Sequence, residues 1–271
     1  MKKFGIVINE IKDPEMKVTE HICSYLKARG AECITVKKAE DITDEAECIL
    51  VLGGDGTLLQ AAGGICGKDI PMIGVNLGTL GYLAEIELDY LEEALEQLIM
   101  DDYVLDERIM LQGRIVGEDG ARDISPALND VSITRCGSLQ IISLKISVNG
   151  RFLCRWNADG IIISTPTGST GYNMSAGGPI VEPGANLFVL TPICAHTLNA
   201  RSIILKAEDT VEIEIDSGHN GTMLQVEANS DGNERISMKT GDKIFISKAD
   251  STTKIIKLSK ESFLEILHKK M

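Results

Sequence analysis

The chain of 271 residues is 44% apolar and 25% charged, which is typical of a globular protein with one large or two small domains. Its net charge of −13 argues against broad electrostatic binding to nucleic acid or to an anionic membrane surface. The first apolar run is too short for a signal peptide or a membrane span, so we expect a cytoplasmic protein with reduced cysteines.

The first hundred residues alternate short apolar runs with amphipathic segments. Strands are predicted at residues 4–9, 32–36, 48–52 and 71–75. Helices are predicted at residues 17–29, 58–62 and 88–100. This alternation predicts an α/β domain over residues 1–103, with a Rossmann-like parallel sheet covered on both faces.

After residue 103 the chain consists of short β-type runs at close intervals, which predict a β-rich second domain over residues 104–252. The predicted strands are residues 110–116, 127–134, 140–148, 151–154, 160–164, 202–205, 210–215, 223–228 and 243–247. The last segment, residues 253–271, contains a predicted strand at 254–258 and a helix at 260–269. We expect this C-terminal helix to return to the first domain.

A glycine-rich loop, Gly53–Thr57, lies between a predicted buried strand and a helix. Glycines let a backbone turn tightly and approach a ligand closely, and successive N–H groups suit a phosphate. Asp55 has two candidate roles there, as a general base toward an acceptor hydroxyl or as a ligand to Mg²⁺ between phosphates. The alternative is a plain strand-to-helix turn with Asp55 as the helix N-cap.

A second glycine-rich turn, Gly74–Leu83, follows the next predicted strand. Loops after neighbouring parallel strands converge on one edge of a sheet, so this turn is expected beside the first. Gly81 and Tyr82 are then placed to flank a bound ribose or phosphate. A backbone turn without a ligand is the alternative.

A third run, Ser164–Pro179, is rich in hydroxyls and glycines and follows the apolar residues 161–163. Small donors beside an aromatic ring suit a pocket that binds a sugar and a base. A solvent-exposed loop is the alternative.

The polar pair Asn129 and Asp130 interrupts a strand-like run at residues 127–134. Hydrogen bonds to adenine or ribose hydroxyls would explain it, and so would a bulge in an edge strand.

These motifs occur in the order and approximate spacing of the bacterial NAD kinases, which the chain resembles from about residue 4 to the last helix. The motif Ser-Thr-Pro-Thr-Gly-Ser-Thr-Gly-Tyr at residues 164–172 is the most specific to that family. Gly-Gly-Asp-Gly is shared with phosphofructokinases and with diacylglycerol and sphingosine kinases, so it identifies the superfamily alone.

The resemblance implies an enzyme that uses Mg²⁺ and either ATP or polyphosphate to phosphorylate the 2′-hydroxyl of the adenosine ribose of NAD, giving NADP. It implies that Asp55 is the general base and that Mg²⁺ is held mainly through the phosphates. The implied nucleotide contacts are Gly54, Gly56, Thr57, Gly81, Tyr82, Asn129, Asp130, Asp159, Ser164, Thr167, Thr170, Gly171, Tyr172 and Ser175.

Several positions near these motifs depart from the family pattern or receive no catalytic role. Asp130 is one methylene shorter than the usual glutamate, and Gly171 replaces an alanine. His196 is interpreted as structural. The turn at residues 231–233 matches the family's Asp-Gly-Gln and is not assigned to a ligand.

Two other functions remain open at this stage. A lipid kinase would share the Gly-Gly-Asp-Gly loop but require an apolar pocket, whereas residues 164–175 are rich in hydroxyls. A non-catalytic NADP(H) sensor would keep the sugar-binding motifs but lose Asp55, which is present. The resemblance also implies a homo-oligomer, either a dimer or a tetramer.

Overall fold

The structure is a computed structural model that describes residues 1–78, 81–137, 140–197, 199–218, 221–259 and 261–270. Its strands are β1 (Lys3–Val7), β2 (Glu32–Val36), β3 (Cys48–Gly53), β4 (Met72–Asn76), β5 (Ala84–Ile86), β6 (Val104–Arg108), β7 (Leu111–Gly117), β8 (Gly120–Ala127), β9 (Asp130–Arg135), β10 (Ile142–Val148), β11 (Arg151–Ala158), β12 (Gly160–Ser164), β13 (Leu187–Ile193), β14 (Ile203–Lys206), β15 (Val211–Ile215), β16 (Gln225–Ser230), β17 (Glu234–Lys239), β18 (Lys243–Lys248) and β19 (Thr253–Lys257). Its α-helices are α1 (Lys17–Ala28), α2 (Asp55–Gly64), α3 (Leu91–Ile99), α4 (Tyr172–Ser175) and α5 (Phe263–Lys270), with 3₁₀ turns at Ala39–Asp41, Leu88–Tyr90 and Thr167–Thr170. No helix in these described ranges combines the length and apolarity needed to cross a membrane.

The chain divides into two compact units. Unit 1 contains Met1–Arg108 and Thr252–Met271, and unit 2 contains Ile109–Ser251. The sequence prediction placed the first boundary after residue 103, ahead of β6. The structure assigns β6 to unit 1 because it pairs with the C-terminal strand β19.

Unit 1 is built on one mixed sheet with the strand order β2-β1-β3-β4-β19-β6, and β5 pairs with β4. The pairs are parallel except β19 with β6, which is antiparallel. Strand β3 is buried along its whole length, as expected for a central strand with both faces covered. The predicted α/β class is confirmed, and the C-terminal segment adds both a strand and a helix to this unit.

The helices of unit 1 pack through apolar faces. In α1, Ile22 and Leu26 are fully buried, and they join Leu95 and Leu98 of α3 in a core with alternate residues of the sheet. Helix α1 ends before Gly30, whose φ of 79° is a left-handed conformation that favours glycine.

Unit 2 contains two antiparallel sheets, ordered β11-β10-β15-β18-β7-β8 and β14-β13-β12-β9-β16-β17. Their apolar faces share one core, which includes Trp156. Strand β7 shows the expected alternation, with Leu111, Gly113 and Ile115 buried and their neighbours more exposed. The prediction of a β-rich domain is confirmed.

Some predicted elements differ from those observed. The predicted strand at residues 127–134 is two elements, since β8 ends at Ala127 in one sheet and β9 begins at Asp130 in the other. The sequence did not predict β5, β6, β8, β13 and β17. Helix α5 begins at Phe263, and predicted positions Thr79, Leu80, Leu198 and Lys260 lie outside the described residues.

Candidate active site

The two glycine-rich turns of unit 1 meet at the carboxyl edge of its parallel strands. Strand β3 ends at Gly53, Gly54 is extended, and α2 begins at Asp55. Leu77 N donates to Gly53 O at 3.0 Å, which ties the turn after β4 to the loop after β3. The expected convergence of the two turns follows from the adjacency of these strands.

The Asp55 carboxylate accepts three backbone hydrogen bonds from the second turn. Tyr82 N lies 2.7 Å from Oδ2, while Leu83 N and Ala84 N lie 3.1 and 3.4 Å from Oδ1. A Cβ atom at Gly81 would collide with this carboxylate, so the contact requires glycine there. The N-cap interpretation of Asp55 is wrong, because Gly54 occupies the N-cap and Asp55 is the first helical residue.

The other predicted residues of the first loop differ in accessibility. Gly56 is exposed and Gly54 is partly buried. The Thr57 side chain packs inward, since its Oγ1 accepts a hydrogen bond from Asn9 Nδ2 at 3.3 Å and leaves no room for a Cβ at Gly53. Gly54 and Gly56 can therefore offer their backbone N–H groups to a ligand. Thr57 instead holds the loop to Asn9, which follows β1.

Lys12 is a charged residue at this edge that the sequence analysis missed. A Cβ atom placed on Gly78 would lie 2.9 Å from Lys12 Nζ, and one placed on Gly54 would lie 3.3 Å from it. Asp55 is therefore joined beside the loop by a second charged group, of opposite sign. A signal was available, because Lys12 follows β1, whose carboxyl end lies beside that of β3.

In unit 2, Asn129 and Asp130 lie where the chain passes from one sheet to the other. The Asp231 carboxylate accepts hydrogen bonds from three consecutive backbone N–H groups of this crossing, those of Leu128, Asn129 and Asp130, at 2.7, 2.9 and 3.0 Å. The edge-strand bulge is excluded because β9 lies between β12 and β16. The sequence analysis gave Asp231 no role, although it fixes this crossing.

The Asn129 side chain carries an unused hydrogen-bonding atom. Among the described residues, its Oδ1 is buried and has no partner. A Cβ on Gly171 would lie 3.3 Å from Asn129 Nδ2, and one on Gly168 would lie 2.5 Å from the Asn129 carbonyl carbon. Both glycines therefore permit close packing on Asn129, and a donor from a ligand would satisfy its oxygen.

Asp130 is a buried carboxyl group with an altered pKa. Burial, together with the negative charge of Asp231, raises the pKa of Asp130 to about 7. Burial also raises the pKa of Asp231, to about 6, although its three backbone hydrogen bonds act in the opposite direction. The two carboxyl groups therefore share one buried region in which ionising both is unfavourable.

The run after β12 combines a buried turn with a short helix that is exposed except at Asn173. Ser164 and Thr167 are buried, and Ser164 Oγ donates to Thr165 O at 2.9 Å. Thr165 Oγ1 donates to Leu128 O at 2.5 Å, which anchors the turn to the crossing before β9. A wholly exposed loop is excluded, and inward hydroxyls such as that of Ser164 serve the packing of the turn.

The second half of this run is more exposed, although Asn173 within it is fully buried. Thr170 is partly buried and its Oγ1 lies 3.4 Å from Thr167 O, while Ser175 is exposed. The Tyr172 ring is 43% exposed, and burial of its hydroxyl, with the charges of Asp130, Cys194 and Asp159, raises its pKa. Tyr172 therefore belongs to the same neighbourhood as Asp130 and Asp159.

Two further predicted positions have defined partners. Asp159 forms an ion pair with Arg135 at 3.0 Å between Oδ1 and Nε, so its charge is balanced within unit 2. The His196 side chain is exposed, and its backbone N–H donates to Asn157 O at 2.8 Å. Over the described ranges, no three His, Cys, Asp or Glu residues form a group that could hold a metal ion.

Comparisons with known proteins cover both units. A model of the ATP-NAD kinase N-terminal domain matches residues 33–103, and one of the ATP-NAD kinase C-terminal domain matches residues 128–258. An NAD kinase of Agathobacter rectalis is 45% identical, over 100% of this chain and 99% of its own length. An NAD kinase of Lachnospira eligens is 43% identical over 100% of both chains.

Solved structures share the fold. Yeast NADH kinase complexed with NADH matches with a TM-score of 0.85 at 23% identity, covering 99% of this chain and 88% of that one. An NAD kinase from Archaeoglobus fulgidus in complex with ATP matches with a TM-score of 0.81 at 23% identity, covering 99% and 98%. The resemblance inferred from the motifs is confirmed by these matches along the full length, and the chain belongs to the NAD kinase family.

Proposed function

We propose that this chain transfers the terminal phosphoryl group of ATP to the 2′-hydroxyl of the adenosine ribose of NAD, giving NADP. The supporting observation is the Asp55 carboxylate, held by three backbone N–H groups at the start of α2 beside a glycine loop. The description of both matching domains as ATP-NAD kinase favours ATP as the donor, and polyphosphate is the alternative.

In this mechanism Asp55 orients the acceptor hydroxyl and takes its proton. A carboxylate has about four lone-pair sites, and the backbone occupies three of them, so one stays open to the hydroxyl. The bonds from Tyr82, Leu83 and Ala84 fix the carboxylate in one orientation before substrate binds. Positioning of this kind, together with electrostatic stabilisation of the phosphates, accounts for most catalysis in phosphoryl transfer.

Unit 2 is proposed to bind the nucleotide through the crossing before β9 and the run after β12. Asn129 has a buried oxygen without a partner in the described structure, which suits a donor on adenine or ribose. The half-exposed Tyr172 ring offers a stacking surface beside Asp130. Asp159, Ser164, Thr167, Thr170, Gly171 and Ser175 complete the proposed nucleotide contacts in this unit.

Mg²⁺ is proposed to be held mainly by the donor's phosphates. Magnesium commonly uses one or two protein carboxylates together with phosphate oxygens and water. As the alternative to its role as base, Asp55 offers one such carboxylate at the loop, and the described residues form no larger cluster. When bound, the ion would neutralise phosphate charge. A cytoplasmic location and assembly into a dimer or tetramer also stand as proposals drawn from the family resemblance.

The kinase activity is tested by incubating the purified protein with NAD, ATP and Mg²⁺ and measuring the NADP formed with an NADP-specific dehydrogenase. We expect NADP from the wild type. Absence of NADP from folded protein, with polyphosphate also tried, would favour the sensor or the lipid kinase.

The role of Asp55 is tested by Asp55→Asn. Loss of a general base typically costs about 10²- to 10⁴-fold in rate, so kcat should fall by about 100-fold or more while NAD still binds by calorimetry. Asp44→Asn, at an exposed aspartate of the same unit, serves as the control and should keep full activity. Unchanged turnover in Asp55→Asn would exclude the base role.

A further inference from the structure

Lys12 lies at the edge of the unit 1 sheet where three loops meet. The loops after β1, β3 and β4 leave the carboxyl ends of adjacent parallel strands. The Lys12 ammonium lies close to Gly78 in one loop and to Gly54 in another. A Cβ atom added to Gly78 or to Gly54 would lie 2.9 or 3.3 Å from Lys12 Nζ, respectively. Its positive charge therefore lies between the two glycine loops, in the space that a side chain at Gly54 or Gly78 would otherwise occupy.

The backbone of Lys12 is fixed by hydrogen bonds, although its side chain is exposed. Its N–H lies 3.1 Å from both the carbonyl oxygen and Oδ1 of Asn9. Asn9 also donates to Thr57 Oγ1, so the loop after β1 is joined to the first turn of α2. This connection sets the distance between the start of the Lys12 side chain and the Gly54 loop.

Within the described part of the chain, Lys12 Nζ has no carboxylate partner. Lysines close to it in sequence differ, since Lys17 pairs with Glu15 at 2.5 Å and Lys37 with Glu10 at 2.7 Å. The adjacent carboxylate of Asp13 is buried and bonded to Val18 N and to Thr19. In a protein with a net charge of −13, a cation without a carboxylate partner beside two glycine loops indicates an anionic ligand.

We propose that Lys12 is a donor-binding residue whose ammonium contacts the terminal phosphates of ATP as they lie over the Gly54 and Gly78 loops. The proposal rests on the kinase function proposed above. A lysine binds phosphate as a compact point charge with three donors, and a triphosphate is the most highly charged group in the reaction. The two charged residues have different proposed partners: the negative Asp55 contacts the acceptor hydroxyl, and the positive Lys12 contacts the phosphoryl donor.

The test compares Lys12→Ala, Lys12→Arg and the control Lys17→Ala, whose lysine is exposed and paired with Glu15. Calorimetry measures the affinity of each for Mg·ATP, for inorganic tripolyphosphate with Mg²⁺, and for NAD. Steady-state assays then measure KM for ATP and for NAD. These binding measurements need no turnover, so they test the contribution of Lys12 to triphosphate affinity even if the wild type forms no NADP.

We expect Lys12→Ala to lose about 10- to 100-fold in affinity for both triphosphates, as is typical for loss of a hydrogen bond between charged groups. KM for ATP should rise by a similar factor, with KM for NAD unchanged. Lys12→Arg should recover most of the affinity, and Lys17→Ala should match the wild type.

Three results would overturn the assignment. One is a Lys12→Ala variant that binds both triphosphates as tightly as the wild type does. Another is a loss confined to NAD, which would place Lys12 on the acceptor instead. The third is a wild type with no affinity for either triphosphate. A wild type that binds ATP through Lys12 but makes no NADP would refute the kinase function alone.

Discussion

Asp130 and Asp231 are two carboxyl groups buried in the same region of unit 2, where burial raises the pKa of both but their other contacts differ. Asp231 accepts three backbone hydrogen bonds, which favour its ionised form. In the part of the chain that the structure describes, Asp130 lacks these bonds to its carboxylate, and burial, with the charge of Asp231 as the smaller cause, raises its pKa to about 7. Asp130 therefore holds the proton more strongly and is the group whose ionisation costs more stability near neutral pH.

A consequence is that Asp130 reduces stability as pH rises. Its pKa is near 4 in an unfolded chain and about 7 in the folded state, so between these values the folded protein binds more protons. Its contribution to the free energy of unfolding is fully present below pH 4 and is lost as pH rises through 7. We expect Asp130→Asn to be more stable than the wild type at pH 8, by about 4 kcal/mol, because about three pKa units at about 1.4 kcal/mol each separate the two states, and the difference should shrink toward pH 5.

The measurement is urea unfolding at pH 5, 6, 7 and 8, followed by fluorescence of Trp156, which lies in the core of unit 2. Subtracting the wild-type curve from that of the variant removes titrations common to both proteins. A difference that is constant with pH would contradict the assignment. Asp123→Asn, at an exposed aspartate of β8, is the control and should show no comparable pH dependence.

Sequence reasoning named candidate residues but could not assign their contacts. The position of Asp55 was predictable, because a glycine loop between a strand and a helix brings its residues to the sheet edge. Its hydrogen bonds to residues 82–84 were not, since they join segments 27 to 29 positions apart. Asp231 is 101 residues from Asp130, and nothing local at either residue reports the other.

At the scale of elements, the crossing between β8 and β9 is where the predicted secondary structure was wrong. The composition of residues 127–134 predicts one strand, yet Leu128 and Asn129 form the step between two sheets. Their backbone groups bond to two residues distant in sequence: the Asp231 carboxylate accepts from both N–H groups, and Thr165 donates its Oγ1–H to Leu128 O and its N–H to Asn129 O. Tertiary hydrogen bonds therefore override the local β preference.

The packing of the 3₁₀ turn on this crossing predicts a cost for Gly168→Ala. The added methyl would lie 2.5 Å from the Asn129 carbonyl carbon and 2.7 Å from its Cα, and backbone atoms cannot move aside easily. Overpacking of this kind typically costs about 1–3 kcal/mol. We expect that loss in the Trp156 unfolding transition, with a weaker affinity for NAD as Asn129 shifts.

The control for this substitution is Gly184→Ala. Its added methyl would meet the Glu182 carboxylate at 3.1 Å, which is the flexible end of an exposed side chain. Stability and NAD affinity should therefore stay close to the wild type. Equal effects of the two substitutions would show that the loss of glycine flexibility, and not the contact with Asn129, is responsible.

At the scale of the whole molecule, the C-terminal segment contributes an interior strand to the unit that the N-terminal segment begins. Strand β19 lies between β4 and β6, so unit 1 cannot complete its sheet until residues 253–257 are in place. Unit 2 is continuous in sequence, over Ile109–Ser251. The alternation of strands and helices predicted the class of unit 1, and the closely spaced β-type runs predicted that of unit 2. The insertion of β19 into the sheet instead depends on pairing between distant segments.

This arrangement predicts that a core substitution in β19 destabilises unit 1 selectively. Ile256 is fully buried, and truncating such a residue to alanine typically costs about 2–5 kcal/mol. In Ile256→Ala, peptides of unit 1 should lose their protection from hydrogen exchange at a lower urea concentration than in the wild type. Trp156, the one tryptophan of the chain, reports the unfolding of unit 2, and its fluorescence transition should match that of the wild type. The matched control is Ile34→Ala in β2, where the side chain is 49% exposed and less burial is lost. If the Trp156 transition moved together with the unit 1 peptides, the two units would unfold as one cooperative system, and β19 would stabilise the whole chain through unit 1.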